Sequence, residues 1–342
     1  MKALFVTTPG ENPELELREV ATPRPGGDQV LVRVASAGLC NHDVAIMRGV
    51  LRRGVDPDIV LGHEIAGTIE ATGPDVTGLR SGDAVVSTLT VSCGVCERCV
   101  NGREYRCYQG QGIGHAVNGG FAELVALPER CLVKLPSGLE PETASILACP
   151  IAVALHALKD VAAVKPDEVV LVTGAGGGLG VHALQLAVAM GARAMGATSS
   201  PDKLDELEKY APGDVVLGGE LDFSEIVLAL TEDRGADVVV ETVGSETFVS
   251  SLRSLAQFGR LVVLGEVEGK RVSFNLAEVI FRDAAVLGSS GASRADIAEA
   301  VRLVAEGTVT PVISHRVPLA DALDAYRLVR ERRSLGRVVL VP

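Results

Sequence analysis

A chain of 342 residues, 47% hydrophobic and 22% charged with a net charge of −12, is long enough for about two domains and ordinary enough in composition for a full-sized core. The acidic balance excludes a role on nucleic acid or an anionic membrane surface, where phosphates require concentrated basic charge. The opening MKALFVTTPGENPELEL has neither a long apolar core nor a small-residue cleavage site, and no run of about eighteen apolar residues follows it. No signal peptide and no membrane span are expected, and a cytoplasmic protein with reduced or metal-bound cysteines follows.

In chain order, residues 1–148 are built from short apolar runs broken by Gly and Pro. QVLVRVASAG, EIAGTIEATG and DAVVSTLTV predict strands, and ATPRPGGDQ and TGPDVTGLRSGD predict turns, which together make an irregular β domain. Around EPETASILACPIAVALHAL the apolar spacing turns helical. From Glu168, EVVLVTGAGGGLGVHALQLAVAMGARAMGATSS predicts strand, Gly-rich turn, helix and strand. DKLDELEKY, FSEIVLALTEDRG, ADVVVETVG, ETFVSSLRSLAQFG and RLVVLGEV continue the alternation. Nearly unbroken β-branched strands alternating with amphipathic helices predict a doubly wound parallel sheet over 149–287, covered on both faces. The segment 288–342 adds the helices SRADIAEAVRLVAEG and ALDAYRLVRERR and the strand GRVVLVP, and is expected to return to the first domain.

The cysteines are Cys40, Cys93, Cys96, Cys99, Cys107, Cys131 and Cys149. Four of them form CGVCERCVNGREYRC, a Cys-x2-Cys-x2-Cys-x7-Cys run inside a lobe of about 91–109. Four thiolates this close suit one tetrahedral Zn²⁺, a structural ion with no open position. A redox loop and buried cysteines are the alternatives, and the spacing matches neither of the common ferredoxin patterns. Cys40 has possible company in LGHEIAG, where His63 and Glu64 are adjacent. With Cys149 these supply two thiolates and one imidazole, the kind of three-ligand set that leaves a catalytic zinc one free position. Cys131 has no such partners and is expected to be packing.

VTGAGGGLGVHALQLA follows a predicted strand and opens a helix, the context in which a Gly-rich turn can approach a pyrophosphate. Gly174, Gly177, Gly178, Leu179 and Gly180 make that turn, although its spacing is not a strict GxGxxG. At the end of the second strand stand Thr198, Ser199 and Ser200, with Lys203 behind them, where an NAD-preferring site carries an acidic residue. Hydroxyls and a lysine accommodate a 2′-phosphate, so NADP(H) is expected ahead of NAD(H).

GLCNHD, GHEIAGTIEATG, SGDAVV, the four-cysteine lobe, GGFAEL, LACPIAVALHAL, the Gly-rich turn and the closing GRVVL run over nearly the whole chain. Together they resemble the zinc-containing medium-chain dehydrogenases/reductases, the family of the alcohol dehydrogenases. The resemblance implies an α/β protein: a GroES-like β-rich catalytic domain with a Rossmann cofactor domain and two zinc ions per subunit. It implies Cys40, His63 and Cys149 as catalytic-zinc ligands, Glu64 as an alternate ligand and Asp43 as the carboxylate that orients His63. It implies Val243 and Gly244 beside the adenosine half, Leu264 and Gly265 beside the nicotinamide, and Arg337 reaching the pyrophosphate. A homodimer or homotetramer follows from the family, paired through the strand near AAVLGSSGA.

His42 is a departure. Alcohol dehydrogenases of the family carry Ser or Thr two residues after the zinc cysteine, beginning a proton relay that often ends at a histidine three residues further on. Here the two places hold His42 and Ala45. His42 either carries the proton itself, shapes the pocket, or is a buried histidine without a role. The first is favoured, because an imidazole titrates near neutrality. The expected reaction is zinc-assisted interconversion of alcohols and carbonyls. The alternative is NADPH-dependent reduction of an activated C=C bond, as in acryloyl-CoA-type reductases, and a non-catalytic nucleotide binder is a third. Phe121, His115 and the stretch RGVLRRG are candidates to border the substrate pocket, with Arg52 and Arg53 read first as a solvated loop and second as a contact for an anionic substrate such as a CoA phosphate.

Overall fold

A computed structural model describes residues 1–211, 214–218, 222–266 and 269–342. The chain divides into two units. The first comprises Met1–Ala152, Gly291–Gly307 and Ile313–Pro342, and the second Val153–Ser290 and Thr308–Val312. The sequence boundaries at 148/149 and 287/288 lie a few residues from these. Thr308–Val312 goes with the second unit for a local reason: the Val312 N–H donates to His182 Nε2 at 2.9 Å, and Gln185 exchanges two hydrogen bonds with the Thr310 backbone.

The first unit is centred on the long strand Gln29–Leu39. It pairs antiparallel with Glu64–Thr72, which continues to Ala84–Ser87 and Leu132–Lys134, and one flank of Gln29–Leu39 also takes Leu124–Pro128. On that same flank the returning strand Arg337–Val341 pairs through Leu39↔Val338 to Ala37↔Leu340, and Ile313–Pro318 lies parallel beyond it. Two strands absent from the chain-order reading, Lys2–Thr8 and Glu14–Glu19, form a separate antiparallel pair. Leu39, Ile65, Ile69, Phe121, Leu127 and Val338 fill the core between these elements, where apolar area removed from water stabilises by roughly 25 cal/mol per Å².

The second unit is a six-stranded parallel sheet. Its order is Val215–Leu217, Arg193–Thr198, Val169–Thr173, Ala236–Glu241, Leu255–Val263, Ala285–Gly288. All five residues of Val169–Thr173 are buried, as a β-branched run covered on both faces requires. The chain winds outward from this strand in one direction and then in the other, so the order reverses between it and Ala236–Glu241. Where the sequence read ETFVSSLRSLAQFG as one helix, the helix ends at Arg253 and a strand begins at Leu255, because Leu255 already pairs with Ala236. The run RLVVLGEV is strand only to Val263, and its last residue, Val267, lies outside the described residues.

The helical stretch Pro141–Val161 is long and apolar enough, by length and composition, to cross a membrane. It is broken into short helical pieces around Pro150, and 72% of its most apolar window is buried inside the protein. Those features read as a core helix.

Candidate metal and cofactor sites

Cys40 precedes the short helix Asn41–Met47, and the third residue of that helix, Asp43, turns back so that Oδ2 accepts the Cys40 N–H at 2.9 Å. The fully buried Asp43 carboxylate also accepts the Gly62 N–H and stands 3.3 Å from His63 Nδ1. That contact occupies one imidazole nitrogen and leaves Nε2 for a metal, the arrangement by which an outer carboxylate fixes a ligand's tautomer. Gly62 makes the bend that brings His63 there: its φ is +92°, and a Cβ would lie 2.4 Å from the Phe121 ring. Glu64 opens the next strand opposite Gly38, where a Cβ would stand 1.9 Å from Glu64 Oε2. The bare glycine is what makes room for this buried carboxylate.

The ligand atoms of Cys40, His63, Glu64 and Cys149 all lie within 4.8 Å of one another. Arg337 Nη2 comes within 2.8 Å of Glu64 Oε1, but it is not aimed for a hydrogen bond. Both Glu64 oxygens and Arg337 Nε and Nη2 are buried without a hydrogen-bond partner among the described residues. Buried charge costs several kcal/mol per ion when uncompensated. Two thiols and two carboxylates against one guanidinium therefore form a set that a divalent cation would balance, and the soft sulfur and imidazole donors suit zinc.

In the protein alone, hydrogen bonding between the two thiols draws Cys40 well down and drives Cys149 well up. Burial opposes charge on His63, yet the Asp43 carboxylate and the Cys40 sulfur hold its imidazole well above the usual range. Burial pushes Glu64 up to about 7 despite Arg337.

His42 is not in this ligand group. Its ring stands edge-on to His63 with centroids 5.3 Å apart. Its Nε2 lies 3.3 Å from His115 Nδ1, and His115 Nε2 lies 3.0 Å from the Arg53 carbonyl oxygen. Because a carbonyl only accepts, the neutral pair runs one way: His115 Nε2–H donates to Arg53, and His42 Nε2–H donates to His115. Burial and the nearby His63 lower the His42 pKa. Of the residues expected around a pocket, His115 is thus joined to His42 and to the Arg53 backbone. Phe121 is instead fully buried in the core, its N–H on the Leu61 carbonyl, because its ring fills the space beside Gly62.

In the lobe, sulfur–sulfur distances are 3.9 Å for Cys93–Cys99, 3.5 Å for Cys96–Cys99 and 3.8 Å for Cys96–Cys107. A tetrahedron with metal–sulfur bonds of about 2.3 Å has edges of about 3.8 Å, so the cage is sized for one ion. The distances are far too long for disulfides, and all seven cysteines are free. Backbone N–H groups of Tyr108 and Cys99 draw Cys96 down to about 6. Desolvation and neighbouring thiols push Cys99 up to about 12. Cys131 is buried apart from this cage, with burial raising its pKa.

The remaining predicted residues gather at the carboxyl ends of the parallel strands. Gly174 follows Val169–Thr173 with φ +58°, and the helix Gly178–Ala189 starts at the cap Gly177, its first N–H groups without intrahelical partners. A Cβ on Gly180 would lie 2.3 Å from the Gly174 oxygen, so the turn closes only around a glycine. Leu179 stands beside it in the first turn. Thr198 ends its strand and accepts the Ser200 N–H at 3.2 Å, and Ser199 lies between them. Lys203, in the turn Pro201–Lys203, is buried. Val243 and Gly244 follow Glu241, and the N–H groups of Leu264 and Gly265 donate to the Glu241 carbonyl at 2.8 and 3.0 Å. Such a glycine cradle over a helix N-terminus fits a dinucleotide pyrophosphate. Arg337 belongs to the first unit, where it lies beside Glu64. Three features escaped the sequence reading: the Gly38 recess, the His42–His115 bond and the buried carboxylate of Glu241. The last had a signal, a charge closing an otherwise apolar strand.

Residues 26–137 match the alcohol dehydrogenase GroES-like domain, and residues 178–306 match the zinc-binding dehydrogenase domain. The chain is 35% identical to the acryloyl-coenzyme A reductase of Sulfurisphaera tokodaii, over 100% of both chains. It is 37% identical to the enzyme of that name from Metallosphaera sedula, over 99% of both. A solved NAD-dependent alcohol dehydrogenase superposes with a TM-score of 0.92 at 34% identity, covering 100% of both chains. On these matches the chain belongs to the medium-chain alcohol dehydrogenase family of oxidoreductases.

Proposed function

We propose that this protein is an NADP(H)-dependent, zinc-holding reductase of a C=C bond conjugated to a carbonyl, in an enoyl thioester or an alkenal. The observation that carries the reading is His42 with a buried Ala45, where the alcohol dehydrogenases place a hydroxyl and the end of its relay. The two acryloyl-coenzyme A reductases, similar over the full length, support it. This reverses the order favoured on sequence alone. Alcohol–carbonyl interconversion is the second reading, favoured by the intact Cys40, His63 and Cys149 set and by the similarity to an alcohol dehydrogenase.

In either reaction Cys40, His63 and Cys149 would hold the zinc and Asp43 would hold His63 in register. When bound, zinc supplies Lewis acidity to a carbonyl oxygen and the nicotinamide supplies or takes a hydride. Arg337 offsets the Glu64 charge beside the ligands. His42 relays a proton: its Nδ1, a bare acceptor in the neutral pair, can take a proton as its Nε2–H passes to His115 Nδ1, and the reverse shift delivers a proton from His42 Nδ1. Thr198, Ser199, Ser200 and Lys203 support NADP(H) over NAD(H), since hydroxyls and a lysine leave room for a 2′-phosphate.

The deciding experiment is incubation with trans-2-hexenal and with crotonyl-CoA, under NADPH and separately NADH, with products identified by mass spectrometry. Hexanal and butyryl-CoA, formed faster with NADPH, are expected. Hexenol as the product would replace this reading with the second. A reducing cytoplasmic setting suits seven free thiols. Pairing of two copies through the edge strand Ala285–Gly288, where Val286 is 44% exposed, would give at least a dimer. Light scattering returning one chain's mass would remove that proposal.

A further inference from the structure

In an open parallel sheet the ligand crevice lies at the carboxyl ends of the two strands between which the order reverses. Here those strands are Val169–Thr173 and Ala236–Glu241, and their last residues are bonded to each other. Glu241 is fully buried. Its Oε1 accepts from Thr173 Oγ1 at 2.8 Å, from the N–H groups of Val243 and Gly244 at 2.8 and 2.9 Å, and from Thr247 Oγ1 at 2.8 Å. Its Oε2 accepts from Ser251 Oγ at 2.5 Å. Thr173 completes the connection: its Oγ1 takes the Thr242 N–H at 3.0 Å, and its carbonyl takes the Thr242 hydroxyl at 2.7 Å. The next residue, Gly174, begins the Gly-rich turn, and a Cβ on it would lie 2.6 Å from Thr242 Oγ1.

We propose that Glu241 is a positioning residue for the dinucleotide: its carboxylate bolts the 242–244 turn to the strand end that launches the Gly-rich turn, fixing the width of the crevice. The inference rests on the nucleotide-binding reading of that crevice and is independent of which bond is reduced. An ionised carboxylate suits the task because it accepts at both oxygens and has no donor of its own. Four donors converge on one oxygen, and charge-assisted bonds of this kind are about twice as strong as neutral ones. The two backbone amides it holds belong to the turn itself. Ser251 touches only the other oxygen, away from the turn.

The test is the dissociation constant for NADPH, read from the fluorescence of the bound cofactor, with melting temperature measured alongside. In Glu241→Gln the amide oxygen can keep the four donors of Oε1, while the NH₂ faces the Ser251 hydroxyl, which can turn to accept. The fold persists, the turn loosens, and the constant is expected to rise about tenfold. Thr247→Val removes one donor at a half-buried position and should raise it about threefold. Ser251→Ala should lower the melting temperature without changing NADPH binding. Wild-type affinity in both Glu241→Gln and Thr247→Val would overturn the role. So would Ser251→Ala weakening binding as much as Glu241→Gln, since affinity would then follow stability alone. If Glu241→Gln does not fold, the contrast between Thr247→Val and Ser251→Ala decides. A wild-type protein that binds neither NADPH nor NADH would overturn the nucleotide reading, and this role with it.

Discussion

At the scale of single residues, Glu64 is a carboxyl held by burial near neutrality. In the metal-free protein its folded pKa of about 7 lies above the usual value of 4.5. Below 4.5 both folded and unfolded states are protonated, and stability is lost as pH rises through 7, by as much as ~3 kcal/mol for this buried group. Chelator-treated wild type should therefore melt progressively below equally treated Glu64→Gln between about pH 4.5 and pH 7. Parallel curves would show that Glu64 is not under this strain. For His42 the expectation is kinetic. His42→Ala should lower kcat by about 100-fold with zinc content unchanged, and His115→Ala by a smaller factor; full activity in His42→Ala would leave it a pocket-shaping residue. The His42 position was legible because it lies two residues from Cys40 in the chain. Its bond to His115 was not, since nothing local in the sequence pairs two loops so far apart.

At the scale of elements, local spacing decided what could be read. The cysteine lobe is a single short run, and its cage follows from the spacing of its ligands. The strand–turn–helix around Gly174 was equally legible, because alternating β-branched residues and a glycine cluster act over a few residues. Gly180→Ala tests that element: the 2.3 Å approach to the Gly174 oxygen forces the turn open, and NADPH should bind at least about tenfold more weakly with the fold retained. Unchanged binding would mean that the turn tolerates the displacement. The strand Glu14–Glu19 had its signal in the alternation of ELELRE, a period of two. The end of the helix at Arg253 had none, because the pairing of Leu255 with Ala236 is a tertiary contact that overrides the local helical pattern.

At the scale of the whole molecule, the candidate metal ligands come from three segments, around Cys40, His63 and Cys149, which ligand chemistry could group in advance but no local pattern could place together. Register sets Arg337–Val341 against Ala37–Leu39 and Gly38 against Glu64, which brings Arg337 beside Glu64. That strand also has a consequence for how the protein is made. The entire second unit is encoded between Leu39 and Arg337. On the ribosome, one edge of the Ala37–Leu39 end of its partner strand, the one on the side away from Glu64–Thr72, therefore stays unpaired until that unit has been synthesised. All four candidate ligands leave the exit tunnel before Arg337, the arginine beside Glu64. A chain interrupted before Arg337 thus carries an acidic, half-closed sheet with a bare edge, a species prone to aggregate, and the finished charge balance is itself a mark of complete translation through that strand.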